Sequence, residues 1–227
     1  SNSLDLLKNR LGATELPLTT TYRCAQVIVR EAQRLVPDIQ AGTSNPEGTL
    51  DTLPYEKLLT EAAAGEFILS RINAPLVSIT LNLIRRGKRA RMAGRDIGAG
   101  IKAVLYKVAK DFTPVDEMLD KLQQWETKSV TRFANYGQLD LVDRCHDQCD
   151  TIRALTEDSD ERNVGGLVQK LQWLFEDDHG ADTIVCSSVH KAKGLEADRV
   201  YVLVESFYRR GKTEEEDHIF YVAVTRA

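Results

Sequence analysis

The sequence lacks a disulfide framework, a long apolar run and a glycine-rich phosphate loop. Its 227 residues include four scattered cysteines, which predicts a reducing compartment and an intracellular, cytoplasmic location. No apolar run approaches the length of a membrane span, and no signal-peptide pattern opens the chain, so a membrane partner is not expected. The segment Gly94–Gly100 is rich in glycine but lacks the G-x-x-x-x-G-K-[ST] spacing of a phosphate loop.

The overall charge excludes strong global attraction to nucleic acid. A net charge of −4, with 42% hydrophobic and 28% charged residues, describes an ordinary globular protein. Any binding of nucleic acid must therefore come from a local basic surface. Cys145, His146 and Cys149 lie close together in the sequence, but no second ligand cluster accompanies them. We therefore predict no metal site, and apolar packing for the two thiols.

The pattern of apolar residues changes along the chain. Residues 1–110 mix helical and strand patterns, whereas residues 111–178 carry apolar side chains at helical spacing and contain no strand candidate. Continuous β-branched runs at 183–186 and 200–204 predict strands buried on both faces, as in a parallel sheet. We therefore predict an α/β domain made of residues 1–110 and 179–227. A helical insertion, residues 111–178, interrupts it and forms a satellite lobe packed on its own side chains.

Within residues 1–110 the sequence predicts alternating elements. The predicted elements are a helix over Ala25–Leu35, a loop over Gly42–Gly48, a helix over Tyr55–Glu66, a strand over Phe67–Leu69 and a helix over Leu76–Arg86.

A polar loop follows the predicted strand that ends at Cys186. Ligands of parallel sheets bind beyond the carboxyl ends of the strands, so this loop lies where a site is expected. Its small hydroxyls, histidine, lysines and glycine suit close contact with phosphates; they are Ser187, Ser188, His190, Lys191, Lys193 and Gly194. Glu196 adds an acceptor for a ribose hydroxyl or for bracing a neighbouring loop. A solvated basic turn is the alternative interpretation.

Two other segments carry arginines beside packed elements. Tyr22-Arg23 precedes a predicted helix, where the tyrosine can stack on a base while the guanidinium reaches a phosphate. The apolar run of residues 220–224 ends at Thr225-Arg226, which places a second guanidinium at the edge of the core. A half-buried tyrosine with a surface arginine, and a solvated end of the apolar run, are the alternatives.

Three of these segments together resemble a known family. Thr21–Arg23, His190–Glu196 and Tyr221–Ala227 resemble motifs IV, V and VI of the UvrD/Rep/PcrA helicases, in that order. Ser70–Leu76 and Gly94–Gly98 resemble the family's stretch between motifs IV and V. At 217–218 the chain has Asp-His where the family usually has two arginines.

The resemblance implies superfamily 1 motor chemistry. Such motors have two RecA-like domains, bind ATP between them and move 3′-to-5′ on single-stranded DNA. By this resemblance the chain is the second RecA-like domain, a parallel sheet flanked by helices and without its own phosphate loop. The N-terminal RecA-like domain of the same polypeptide would supply that loop and the Mg²⁺ ligands.

The resemblance also implies a role for each site residue. Tyr22 would stack on adenine, while Arg23 and Arg226 would reach the γ-phosphate as arginine fingers. We expect these two arginines to converge on one exposed face. The residues expected at the DNA track are Ser187, Ser188, His190 and Lys191. Gly194 and Glu196 would couple that track to the nucleotide and touch its ribose.

Two alternatives remain open from the sequence. One is the motor domain of a helicase–nuclease of the RecB or AddA sort. The other is a non-motor DNA-binding or interaction module that kept the fold.

Overall fold

The chain folds as an α/β protein with two compact units. The computed structural model describes residues 10, 12, 19–176, 182–192, 197–208, 211 and 213–227. The first unit spans residues 1–50 and the second residues 51–227. Over these described segments no helix combines the length and apolarity needed to cross a membrane.

In residues 19–50 of the first unit, a helix lies in the sequence between two short parallel strands. Strand β1 (Thr20–Thr21) pairs with β2 (Gln40–Ala41), and α1 (Gln26–Ala32) lies between them in the sequence. The predicted helix is confirmed, although it is shorter than expected. No side chain caps α1; instead the N–H groups of Gln26 and Val27 donate to the carbonyls of Pro46 and Glu47, at 2.8 and 3.0 Å. The predicted loop around Gly42–Gly48 therefore completes the start of the helix.

A four-stranded parallel sheet organises the second unit. Its strands are β3 (Phe67–Ser70), β4 (Ala90–Met92), β5 (Ile184–Ser188) and β6 (Val200–Val202). They lie in the order β4-β5-β3-β6. The predicted parallel pairing is confirmed for both strands, and burial on both faces is confirmed for β5, all five residues of which are buried. In β6 only Tyr201 is buried, while Val200 and Val202 are partly exposed. The last strand is shorter than predicted, since a 3₁₀ turn occupies Val204–Ser206.

Seven helices complete the described part of the second unit. They are α2 (Tyr55–Glu61), α3 (Ala74–Arg85), α4 (Arg95–Val108), α5 (Val115–Asn135), α6 (Leu139–Glu157), α7 (Val164–Leu174) and α8 (Glu214–Val224). The helix predicted over Tyr55–Glu66 ends early. Ala62 is already extended and Gly65 has a φ of +84°, which turns the chain into β3.

The sheet is covered on both faces. Successive residues of a strand point to opposite sides. Ile68 packs into a large cluster with residues of α2, α3 and α4, whereas its neighbour Leu69 packs into a smaller cluster with Ile219 and Ala223 of α8. Both side chains are fully buried. Helix α8 is thereby fixed on the face of the sheet opposite α3.

The helical segment is not a satellite lobe with a core of its own, so that expectation was wrong. Met118, Leu122 and Ile152 belong to the same hydrophobic cluster as Ile68 and Leu76. The cause is the apolar face of α6, which packs along α3 rather than only against α5. The assignment of residues 111–178 as an insertion into the domain stays a prediction.

A buried carboxylate reinforces the junction of α3 and α6. Asp147 of α6 accepts hydrogen bonds from the backbone N–H and the side-chain amide of Asn73, at 2.7 and 2.5 Å. These contacts satisfy donors at the N-terminus of α3, which has no cap of its own. Burial raises the pKa of Asp147. Cys145 and Cys149 pack in the core, as predicted.

Candidate functional site

Side chains from three distant segments meet at the carboxyl edge of the sheet. Arg71 follows β3, His190 follows β5 and Glu216 lies in the first turn of α8. The Nε of Arg71 donates to Oε1 of Glu216 at 2.8 Å, and its Nη1 lies 3.3 Å from Nε2 of His190. A cation, an imidazole and a carboxylate are therefore in contact at the edge where parallel sheets bind ligands.

Backbone contacts hold this cluster in place. The N–H of Arg71 donates to Oγ of Ser206 at 2.9 Å, and that hydroxyl donates to the carbonyl of Leu203 at 2.6 Å. The second oxygen of Glu216 accepts from the N–H of Tyr208 at 3.3 Å. The side chains of Arg71 and Glu216 are 24% and 17% exposed, so solvent reaches only part of the pair. The segment after β6, from Leu203 to Tyr208, thus holds both partners of the ion pair.

His190 is exposed just after β5, and its pKa is lowered. Burial of part of the ring, followed by the charge of Arg71, lowers the pKa of His190. The imidazole is therefore neutral near pH 7, with one nitrogen able to accept a hydrogen bond and the other able to donate one.

Lys191 contacts the segment after β4. Its Nζ lies 2.6 Å from Oδ2 of Asp96, and this hydrogen bond lowers the pKa of the Asp96 carboxyl. Gly94 precedes α4 with a φ of +106°, a conformation that favours glycine, and a Cβ there would lie 3.4 Å from the Lys191 side chain. Gly94 and the first turn of α4 thus contact the loop that follows β5.

The two serines of the predicted DNA track are buried. Ser187 and Ser188 are 1% and 5% exposed, and the Ser187 hydroxyl donates to the Ser188 carbonyl at 3.0 Å. His190 and Lys191 are the exposed side chains of this predicted set. Contact of any of these residues with DNA stays a prediction.

Arg226 lies just beyond the end of α8. Its Nε donates to the carbonyl of Val222 at 3.1 Å, and its own carbonyl accepts from the N–H of Ala197 at 3.3 Å. Ala197 directly follows the loop predicted to resemble motif V. The ends of the segments that resemble motifs V and VI are therefore neighbours.

One of the residues that replace the usual arginine pair has a partner. The hydroxyl of Tyr208 donates to Oδ1 of Asp217 at 3.0 Å. Burial, with this hydrogen bond, raises the pKa of Tyr208 to about 12. Tyr208 also has a positive φ of 57°, so Asp217 helps to fix a strained turn. Gly194 and Glu196, with Lys193, lie outside the described residues.

Tyr22 and Arg23 belong to the first unit. The Tyr22 side chain is 76% exposed, and Arg23 is also exposed. Arg226 belongs to the second unit, and the convergence of Arg23 with Arg226 stays a prediction.

Sequence reasoning gave no role to several residues of this edge. Arg71 and Glu216 pair across 145 positions. Arg71 lies in the Ser70–Leu76 segment that resembles the family, but neither residue carries a local signal for this pairing. Within the described segments, no group of three His, Cys, Asp or Glu side chains is arranged to hold a metal ion.

Comparison with known proteins identifies the family of most of the chain. The model of the UvrD-like helicase C-terminal domain matches residues 52–227, which include the whole described sheet, His190 and Arg226. The segment with Tyr22 and Arg23 lies outside that match. No curated protein matches the chain. Because the matched region covers most of the sequence and contains the clustered edge, the chain belongs to the UvrD-like helicase C-terminal domain family.

Proposed function

We propose that the chain is the second motor domain of an ATP-dependent DNA helicase that moves 3′-to-5′ on single-stranded DNA. ATP binds between this domain and an N-terminal RecA-like domain of the same polypeptide. Membership of the helicase family supports the coarse assignment. The protein acts inside the cell, on DNA in the cytoplasm.

The contact of Arg71 with both His190 and Glu216 carries the proposal. His190 lies on the loop assigned to the DNA track, and Glu216 lies in the first turn of the helix that leads to Arg226. A phosphate of DNA that approaches His190 and Lys191 would attract Arg71 away from Glu216, because arginine binds phosphate and carboxylate through the same donors. Binding of DNA at His190 and Lys191 would thereby release Glu216 and alter the helix that positions Arg226.

The nucleotide chemistry follows from the exposed aromatic ring and the arginines. Tyr22 presents a face on which adenine stacks, since its side chain is 76% exposed. Arg23 and Arg226 then stabilise the charge that develops on the γ-phosphate in the transition state. Gly194 and Glu196 contact the ribose and couple binding of DNA at the track to the bound nucleotide.

Magnesium is held by the N-terminal domain in this proposal. The described residues offer carboxylates that are engaged with cations or amides, such as Glu216 with Arg71 and Asp147 with Asn73. They do not form a cluster of Mg²⁺ ligands. Bound there, Mg²⁺ would supply positive charge to the phosphates, while Arg23 and Arg226 of this domain would supply the guanidinium groups.

The test is the ATP turnover of the parent polypeptide with single-stranded DNA. We expect Arg226→Ala and Arg23→Ala each to lower kcat by roughly 10³-fold while changing ATP binding much less, because arginine fingers act in the transition state. Arg199→Ala and Arg34→Ala are matched controls, since their side chains are 58% and 74% exposed and lie outside the site. Wild-type turnover by both finger variants would contradict the proposal.

A strand-displacement assay tests the direction of movement. Partial duplexes with a single-stranded 3′ tail should be unwound, whereas those with only a 5′ tail should not. Unwinding of the 5′-tailed substrate alone would refute the stated polarity.

A further inference from the structure

The turn that presents Tyr22 and Arg23 is held by one buried amide. Asn45 is 6% exposed, and its Nδ2 donates to the carbonyl of Thr21 at 2.9 Å and to that of Cys24 at 2.8 Å. Thr21 and Cys24 are the residues on either side of Tyr22-Arg23. A single nitrogen therefore bridges the two ends of this turn.

Only an amide of this length fits the geometry. The Asn45 nitrogen has two N–H groups, and each is used by a different carbonyl. An aspartate would bring oxygen atoms against two carbonyl oxygens and would offer no donor. A glutamine has the same amide but one further methylene, which displaces its nitrogen from a position that lies 2.9 and 2.8 Å from the two carbonyl oxygens.

The Tyr22 ring rests on a second residue of the same loop. A Cβ on Gly42 would lie 2.5 Å from Cδ1 of Tyr22 and 2.8 Å from Oδ1 of Asn45. The N–H of Gly42 also donates to the Thr21 carbonyl at 2.8 Å. The absent side chain is thus what lets the aromatic ring approach the Gly42 backbone this closely, while most of the side chain stays exposed.

The loop is itself anchored to the helix that follows the turn. Gln26 donates through Nε2 to the carbonyl of Asn45 at 3.0 Å, and its backbone N–H donates to Pro46. The turn, the loop and the start of α1 are therefore joined by one hydrogen-bond network, and Asn45 takes part in the contacts to both the turn and the helix.

We propose that Asn45 is a positioning residue for nucleotide binding and that Gly42 is the residue against which the Tyr22 ring packs. Asn45 sets the distance and direction of Tyr22 and Arg23 relative to each other, so that stacking on the base and contact with the phosphate occur together. This inference rests on the proposed function, which states what Tyr22 and Arg23 contact.

The experiment measures kcat and KM for ATP in the parent polypeptide. A displacement of a contacting group by about 1 Å can lower the catalytic rate by about 10²-fold. We therefore expect Asn45→Ala to lower kcat/KM for ATP by about 10- to 100-fold, through both a lower kcat and a higher KM. Asn45→Asp should be at least as impaired. Gly42→Ala moves the ring more than the guanidinium, so its main effect should be a raised KM.

Gln33→Ala is the matched control. Gln33 also donates a side-chain amide to a backbone carbonyl in this unit, that of Ile39 at 2.8 Å, but at the far end of α1. Its kcat and KM should match those of the wild type. Should Asn45→Ala fail to fold, Gly42→Ala decides the inference, and a wild-type KM for that variant overturns it.

A double-mutant cycle separates positioning from general stability. In a Tyr22→Ala/Arg23→Ala background, Asn45→Ala should have almost no further effect, because it acts through those two side chains. An undiminished effect in that background, or no effect of Asn45→Ala in the wild type, overturns the inference. If Tyr22→Ala and Arg23→Ala themselves change nothing, the proposed function fails instead.

Discussion

The Nε atom of Arg71 lies 2.8 Å from Oε1 of Glu216, although the two residues are 145 positions apart. This ion pair joins the end of the central strand β3 to the helix that ends beside Arg226. Because both side chains are largely shielded, the pair contributes more than an exposed pair would. It is therefore a structural link between the two sides of the carboxyl edge.

Loss of this carboxylate should destabilise the protein. Glu216→Ala removes the acceptor used by Arg71 and by the N–H of Tyr208, so we expect the free energy of unfolding to fall by about 1–3 kcal/mol. Urea denaturation of the 227-residue chain measures this change. Glu214→Ala, two positions away and exposed, should stay within about 0.5 kcal/mol. Equal stability of the two variants would show that the ion pair does not support the fold.

The buried Asp147 predicts a dependence of stability on pH. Its pKa is raised by burial, so the folded chain binds a proton there more readily than the unfolded chain. The stabilisation from this group is complete below the usual pKa and is lost as pH rises through the raised folded pKa. Relative to wild type, Asp147→Asn should become more stable as pH rises through that window, in urea titrations at constant ionic strength.

A second variant at this position separates charge from hydrogen bonding. Asp147→Ala leaves both donors of Asn73 without their acceptor, so it should lose about 1–3 kcal/mol below that window, and the loss should shrink as pH rises through it. A flat difference between wild type and Asp147→Asn across the titration would refute the assigned pKa direction.

Two glycines of α4 should respond in opposite ways to the same substitution. A Cβ on Gly98 would lie 2.9 Å from Cγ of the buried Phe175, so Gly98→Ala should destabilise the chain by about 1–3 kcal/mol. A Cβ on Gly100 would meet the flexible end of Gln148, which can move. Gly100→Ala should therefore stabilise the helix by up to about 1 kcal/mol. Thermal unfolding of both variants checks the pair, and a shift in the same direction would contradict the packing described here.

The isolated chain should not hydrolyse ATP. It has no phosphate loop, and the described residues form no Mg²⁺ site. We expect no turnover above background with single-stranded DNA present. Turnover that Arg226→Ala abolishes would contradict the division of the active site between two domains.

Several elements were predictable because their signals are local. Val200 and its neighbours form a β-branched run that suits a buried strand, and the helical spacing within residues 114–174 predicts long helices. Strand β4 was missed because Ala90-Arg91-Met92 contains no β-branched residue. The apolar run at 220–224 indicates burial, but its helical form depends on Thr213, whose side chain accepts from the N–H of Glu216.

The candidate site was only partly predictable for a different reason. His190 and Arg226 could be identified from segments that resemble family motifs. The pairing of Arg71 with Glu216, and of Asn73 with Asp147, depends on which elements the fold brings together. A single sequence contains no local pattern that specifies such contacts.

The order of strands in the sheet has a consequence for synthesis of the protein. Within the described strands, β3 pairs only with β5 and β6, and both follow it by more than 100 residues. While the ribosome is making the helices between them, β3 has both edges unpaired, and unpaired edges promote aggregation. The helices α3 and α6 can pack before that time, since they are complete by Glu157. Early packing of these helices therefore shields one face of β3 until β5 and β6 have been synthesised.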